Sequence, residues 1–163
     1  MNDEAELYLQ RAENELIAAQ ILFDISINPS IQKEQFRLEK KFTFYSTAIS
    51  HSYYCIFYSA KAILIQNGIK TDAPEVHKKT LDAFEQFLVS NGKLDVELLR
   101  IYKKMVVRAE ELLGIFFIEK KKRGEFTYQK LSQANLNPAK ESLDNALLFF
   151  KNINAVLKKS NYI

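Results

Sequence analysis

Residues 43–68 read TFYSTAISHSYYCIFYSAKAILIQNG, and the reading of this stretch decides the fold. It contains no proline, no glycine before its last position and a single Lys, Arg, Asp or Glu side chain, Lys61. Spacings of three and four place Ile49, Tyr53, Ile56, Ala60 and Ile63 on one helical face. Tyr54, Phe57, Tyr58 and Ile65 make the rest nearly as apolar. A helix that is apolar almost all round is buried, inside a bundle or between two subunits. Ala48, Ala60 and Ala62 let neighbours approach closely, and Gly68 supplies the left-handed residue that ends the helix.

On the N-terminal side, Leu9, Ala12, Leu16, Ala19 and Phe23 recur at helical spacing within Asp3–Ile27, with Glu6, Glu13 and Gln20 on the opposite face. Asn28-Pro29 ends this helix, because the residue before proline is pushed out of the helical region. The pair also suits the cap and first position of a following helix. Ser30–Phe42 is charged and expected to be helical and exposed, as a short helix or as the front of the central one. On the C-terminal side, Asp72 and Pro74 signal a helix carrying His77, Leu81, Phe84 and Leu88, which Asn91-Gly92 stops. A further helix starts near Asp95 with Leu99, Tyr102, Val106, Ala109, Leu113 and Phe116 on one stripe, Gly114 lying inside it. Periodicity breaks down from Lys120 to Leu136. Asn137-Pro138 then reads as cap and first position of a last helix bearing Ala139, Leu143, Ala146, Phe150, Ile153 and Leu157. The final KKSNYI is expected to fray. The expected fold is therefore all-α: a single domain spanning 1–163, built as an up-and-down antiparallel bundle of four long helices plus one shorter helix.

Composition narrows the class. A chain of 163 residues, 47% of them hydrophobic, buries a real core. One cysteine, Cys55, excludes a disulfide framework and points to a reducing, cytoplasmic setting. Cys55 itself reads as a small buried apolar residue. The acidic start MNDEAELYLQ is unlike a signal peptide, and no apolar run is long enough to span a bilayer. The net charge of +3 does not by itself mark a nucleic-acid binder.

Few residues suggest chemistry. The two histidines, His51 and His77, have no metal-ligand spacing to acidic residues, so neither metal nor cofactor is expected. No glycine-rich phosphate loop is present. Ser50-His51-Ser52 are helix neighbours that point apart, which argues against a nucleophilic pair. What stands out is Lys120, Lys121, Lys122 and Arg123 in succession, with Phe126 and Tyr128 close behind. Cations interleaved with aromatics hold phosphate and stack a base. The plainer account is cations complementing a helix C-terminus. His77 caps, packs or joins a polar cleft. Lys61 snorkels or finds a partner.

The run HSYYCIFYSAKAILIQNGI, followed by VHKKTLDAF, resembles the HEPN domain family in its small stand-alone prokaryotic branch. The residues that carry the likeness are Tyr53, Tyr54, Phe57, Ala60, Lys61, Ala62, Gly68, His77 and Lys78. Arg123-Gly-Glu-Phe-Thr-Tyr128 is similar to that family's Arg-x4-6-His motif, with the Tyr that is common in this branch at the second position. The resemblance implies a protein acting on RNA or nucleotides. In its sharpest form this is a metal-independent ribonuclease of toxin–antitoxin type, with Arg123 holding phosphate and Tyr128 in place of the usual His. Lys120, Lys121, Lys122, Phe126, His77 and Lys78 then count as RNA- or phosphate-binding candidates. It implies a homodimer working beside a separate nucleotidyltransferase antitoxin, with no membrane attachment. Because a phenol near pKa 10 is a poor base, the alternative is a non-catalytic helical dimer that binds nucleotide or nucleic acid, or docks on a partner.

Overall fold

The computed structural model describes residues 1–113 and 135–159. Among these the regular structure is helical: α1 (Asp3–Ile27), α2 (Pro29–Phe36), α3 (Tyr45–Gln66), α4 (Val76–Phe84, continued by a π-helical turn, Glu85–Val89), α5 (Val96–Leu113) and α6 (Leu136–Lys159). The all-α bundle expected from periodicity is what forms. Gly114, Phe116, Lys120, Lys121, Lys122, Arg123, Phe126, Tyr128 and the C-terminal residues 160–163, for which the sequence sets expectations, lie outside the described residues.

The helix ends follow local chemistry. The Asn2 side chain accepts from Glu4 N–H and starts α1. Asp95 does the same for α5, accepting from Glu97 N–H at 2.7 Å. Gly68 (φ +76°) closes α3 in a paired arrangement, with Gly68 N–H on Ile65 C=O and Ile69 N–H on Leu64 C=O. Gly92 (φ +70°) does the equivalent after the π turn. Of the two forms the sequence leaves open for the segment after Asn28, the short separate helix is the one that forms, with Asn28 as its cap residue and Pro29 in its first turn. One boundary differs from the sequence reading. The last helix starts at Leu136, so Asn137 and Pro138 lie inside its first turn. Asn135 C=O accepts its first bond, from Ala139 N–H. Proline fits there because the N–H groups of a first helical turn have no intrahelical acceptor in any case.

α3 is the hub. α1 runs antiparallel along it: Asn2 N–H reaches the Gln66 side chain at one end, and Phe44 N–H reaches Ser26 Oγ at the other. α6 runs parallel to α3: Ala48 and Ile49 share a buried cluster with Ala139 and Leu143, and further along both helices Cys55 Sγ lies 3.9 Å from Ala146 C=O. α5 is antiparallel to α6, since Arg108 bonds Pro138 C=O and Ser142 Oγ while Tyr102, earlier on α5, meets Phe149, later on α6. The core residues predicted on α3, Ile49, Tyr53, Ile56, Ala60 and Ile63, are all buried. So are Leu9, Ala12, Ala19 and Phe23 of α1. Phe84, Tyr102 and Phe149 form an aromatic cluster, with centroids 5.5–5.9 Å apart, where α4, α5 and α6 meet.

Besides Ser26, a second buried polar side chain, Gln32, holds the link between α1 and α3. The Gln32 amide donates to Ile25 and Phe42 carbonyls and accepts from Phe42 N–H, so the charged segment folds back onto the bundle with these backbone groups paired.

Candidate functional site

One set of polar groups in the bundle lies along the seam between α1 and α3. On α3, His51, Tyr54, Tyr58 and Lys61 lie three or four residues apart and so share a stripe. On α1, Tyr8, Arg11 and Glu15 do the same. Because the helices are antiparallel, the stripes meet in reverse order. His51 Nδ1 lies 2.5 Å from Glu15 Oε2. Tyr58 packs on Tyr8 at 6.0 Å and stacks on Tyr54 at 6.0 Å. Arg11 lies 5.5 Å from the Tyr8 ring centroid, and Lys61 lies 5.0 Å from it. Tyr8, Glu15, His51, Tyr54 and Tyr58 are all half-buried, and Arg11 is exposed.

Lys61 is almost fully buried and finds its partner in the loop ahead of α4, donating to Thr71 C=O at 2.7 Å. Thr71 and Thr80 are joined hydroxyl to hydroxyl at 2.8 Å, which fastens that loop to α4. At the top of α4, His77 Nδ1 is 2.7 Å from Tyr53 Oη, and its ring lies against Phe57 with centroids 4.3 Å apart. The Tyr54 edge meets the same imidazole at 6.0 Å.

These surroundings set protonation states. Burial, then the Lys61 charge, pushes the His77 imidazole below its ordinary 6.5, so it is neutral at pH 7. Burial, with smaller contributions from Tyr54 and Glu110, pushes the Tyr53 phenol well up. Tyr58 is also raised, by burial and by Glu15 against the opposing pull of Arg11. Burial raises the Cys55 thiol far above neutrality, which makes it a packing residue and not a nucleophile.

Of the predicted site residues, the structure places His77 in a packed, hydrogen-bonded position and Lys78 on the exposed side of the α4 start. It also brings Tyr53, Tyr54, Phe57 and His77 into one aromatic group. Arg123, Tyr128, Lys120, Lys121, Lys122 and Phe126 lie outside the described residues. The His51–Glu15 pair was missed, because its partners are 36 residues apart and no local spacing announces it. Among the described residues no three His, Cys, Asp or Glu side chains cluster as metal ligands. No helix among them is long and apolar enough to cross a membrane.

The family model for the HEPN domain matches residues 31–112, half of the chain, covering α3, the loop and α4, and nearly all of α5. The chain belongs to the HEPN domain family. The match ends before Arg123 and Tyr128. A Methanocaldococcus jannaschii protein named "Putative toxin" is 25% identical over 112 residues, covering 69% of this chain and 66% of the relative. A UPF0332 protein from Gloeobacter violaceus is 29% identical over 100 residues, 61% of this chain and 64% of the relative. The chain thus spans just under two thirds of the length of these curated relatives.

Proposed function

We infer that this HEPN protein is a cytoplasmic, RNA-acting toxin component. It works as a homodimer beside a separate nucleotidyltransferase, with Arg123 holding phosphate and Tyr128 standing where ribonuclease relatives carry His. The observation that carries the reading is the α1/α3 seam. Imidazole, stacked phenols and a guanidinium share one strip at the α1/α3 contact, half-buried except for the exposed Arg11. Such a strip accommodates bases by stacking and phosphate by charge. The toxin-named relative supports the cellular role. Lys120, Lys121, Lys122 and Phe126 extend the same chemistry in the reading, with Lys78 as an outlying cation. His77 enters it as the neutral, Tyr53-held imidazole beside Tyr54. Cleavage requires no metal when the 2′-hydroxyl of RNA is the nucleophile and a cation faces the charge that develops on phosphorus.

A second reading, RNA or nucleotide binding without turnover, is favoured by the phenols. Tyr53 and Tyr58 are both pushed up by burial, away from any role as base. The deciding experiment is metal-free RNA cleavage by purified protein, comparing wild type with Arg123→Ala and Tyr128→Phe. Cleavage lost in Arg123→Ala supports the enzyme. RNA retention on a filter without cleavage supports the binding module. Neither cleavage nor retention removes RNA from the reading.

A further inference from the structure

A ribonuclease reading built on Arg123 and Tyr128 lacks a base, since an unperturbed phenol is protonated at neutral pH. The described residues contain two imidazoles held in different ways. His77 is clamped between Tyr53 Oη and the Phe57 ring, half-buried under the loop that Lys61 secures. His51 is on the open seam, its side chain one-third exposed (33%) and paired with a carboxylate that is itself 25% exposed. A carboxylate oxygen accepts, so Nδ1–H of His51 donates to Glu15 Oε2, and in the neutral form of that imidazole the lone pair is on Nε2. Base, orienting carboxylate and accessible ring are the parts that acid–base catalysis needs.

We propose that His51, oriented by Glu15, is the general base that removes the 2′-hydroxyl proton from single-stranded RNA lying along the α1/α3 seam. The inference rests on the ribonuclease reading above and adds to it a residue, a substrate form and a direction. His51 and Tyr58 are seven residues apart, roughly 10 Å along the helix, a span that neighbouring nucleotides cover. Tyr54 and Tyr58 present stacked rings within that span. Arg11 stands beside them, exposed, to meet a phosphate. Duplex RNA cannot use such rings because its bases are already stacked on one another, so the substrate is single-stranded. In the step, the 2′ oxygen bonds to phosphorus as its proton passes to His51 Nε2. The bond from phosphorus to the 5′ oxygen breaks, and that oxygen leaves with a proton from water. The products are a 2′,3′-cyclic phosphate and a 5′-hydroxyl, and His51 returns its proton to solvent. Glu15 faces the positive charge on the imidazole while it lasts.

The test is a metal-free cleavage assay on an unstructured oligoribonucleotide with the full chain. It compares wild type, Arg123→Ala, His51→Ala and Glu15→Gln. His51→Ala is expected to lower kcat by about 10²-fold or more, with KM little changed and activity partly restored by added imidazole. Glu15→Gln is expected to lower kcat by roughly tenfold or more, and Glu15→Asp to recover part of it. The product should carry a cyclic phosphate, and a 2′-deoxy nucleotide at the cut site should block cleavage. If cleavage depends on Arg123 but is untouched in His51→Ala, this inference falls and the ribonuclease reading stands. If wild type does not cleave at all, both fall together. Should His51→Ala fail to fold, the isosteric Glu15→Gln decides: unchanged kcat overturns the proposal.

Discussion

Two stripes of the same helix behave in opposite ways. Ala48, Ser52, Cys55, Ser59 and Ala62 recur at helical spacing through Cys55, which touches α6, and every one of them is fully buried. The two serines spend their hydroxyls on their own helix, bonding Ala48 and Cys55 carbonyls. This stripe is small, dry and internally satisfied, so a second helix can lie close to it. Around the same helix, His51, Tyr54 and Tyr58 stay half-exposed and draw their partners from α1 and α4. Residues on the first stripe specify packing. Residues on the second keep polar groups within reach of solvent, where a ligand can meet them. The distinction is thus between polar groups satisfied at short range and polar groups satisfied across helices.

The comparison can be broken by substitution. The largest effect is expected on the dry side. Phe149 is fully buried against Phe84 and Tyr102, and Phe149→Ala should cost about 3–5 kcal/mol in urea unfolding. A much smaller loss would mean that α6 is not fastened by that cluster. Next comes Arg108, whose largely covered guanidinium joins α5 to Pro138, Ser142 and Glu141 at the start of α6. Arg108→Ala should cost about 2 kcal/mol by the same measurement, because it leaves a carbonyl and a hydroxyl with fewer donors. Tyr102 tests the rule in the opposite direction. Its hydroxyl is buried with no hydrogen-bond partner among the described residues, so Tyr102→Phe should raise stability by about 1 kcal/mol. A drop would show that the phenol is satisfied in solution.

The smallest effects concern titration. His77 is held below its ordinary pKa, so the folded protein binds fewer protons than the unfolded chain just below pH 6.5. Its contribution is therefore complete above that value and is lost as pH falls from there through the folded-state pKa. Unfolding measured at pH 7.5 and 5.5 should show this loss, and His77→Gln should flatten it. Glu141, held below the usual carboxylate range by Lys104 and Arg108, loses its contribution only below about pH 4.5, so the two windows separate. Cys55 needs no pH change to test. A thiol reagent should label it only as fast as the protein opens, because the sulfur is fully buried.

Much of this architecture is legible in the sequence. Local periodicity identified α1, α3, α4, α5 and α6, and Gly68, Gly92 and Asp95 marked ends that the structure reproduces. The start of α6 was misplaced by one to two residues. The Asn137-Pro138 pair satisfies first-turn rules at more than one register, and Asn135 was the residue actually at the boundary. The site was less legible. His77 was picked out from its family setting, but its bond to Tyr53, 24 residues earlier, was not foreseen.

What the amino-acid order determined alone was which residues share a helical face, because a period of 3.6 is a local property of the backbone. It also determined that residues 43–68 must be enclosed, because almost no polar surface is available there to face water. Only the tertiary structure decided which face meets which. His51 finds Glu15, and Lys61 finds Thr71, because α1 runs antiparallel to α3 in one register, and the loop before α4 folds back over the end of that pair. Packing of whole helices sets that register, and no spacing along the chain encodes it.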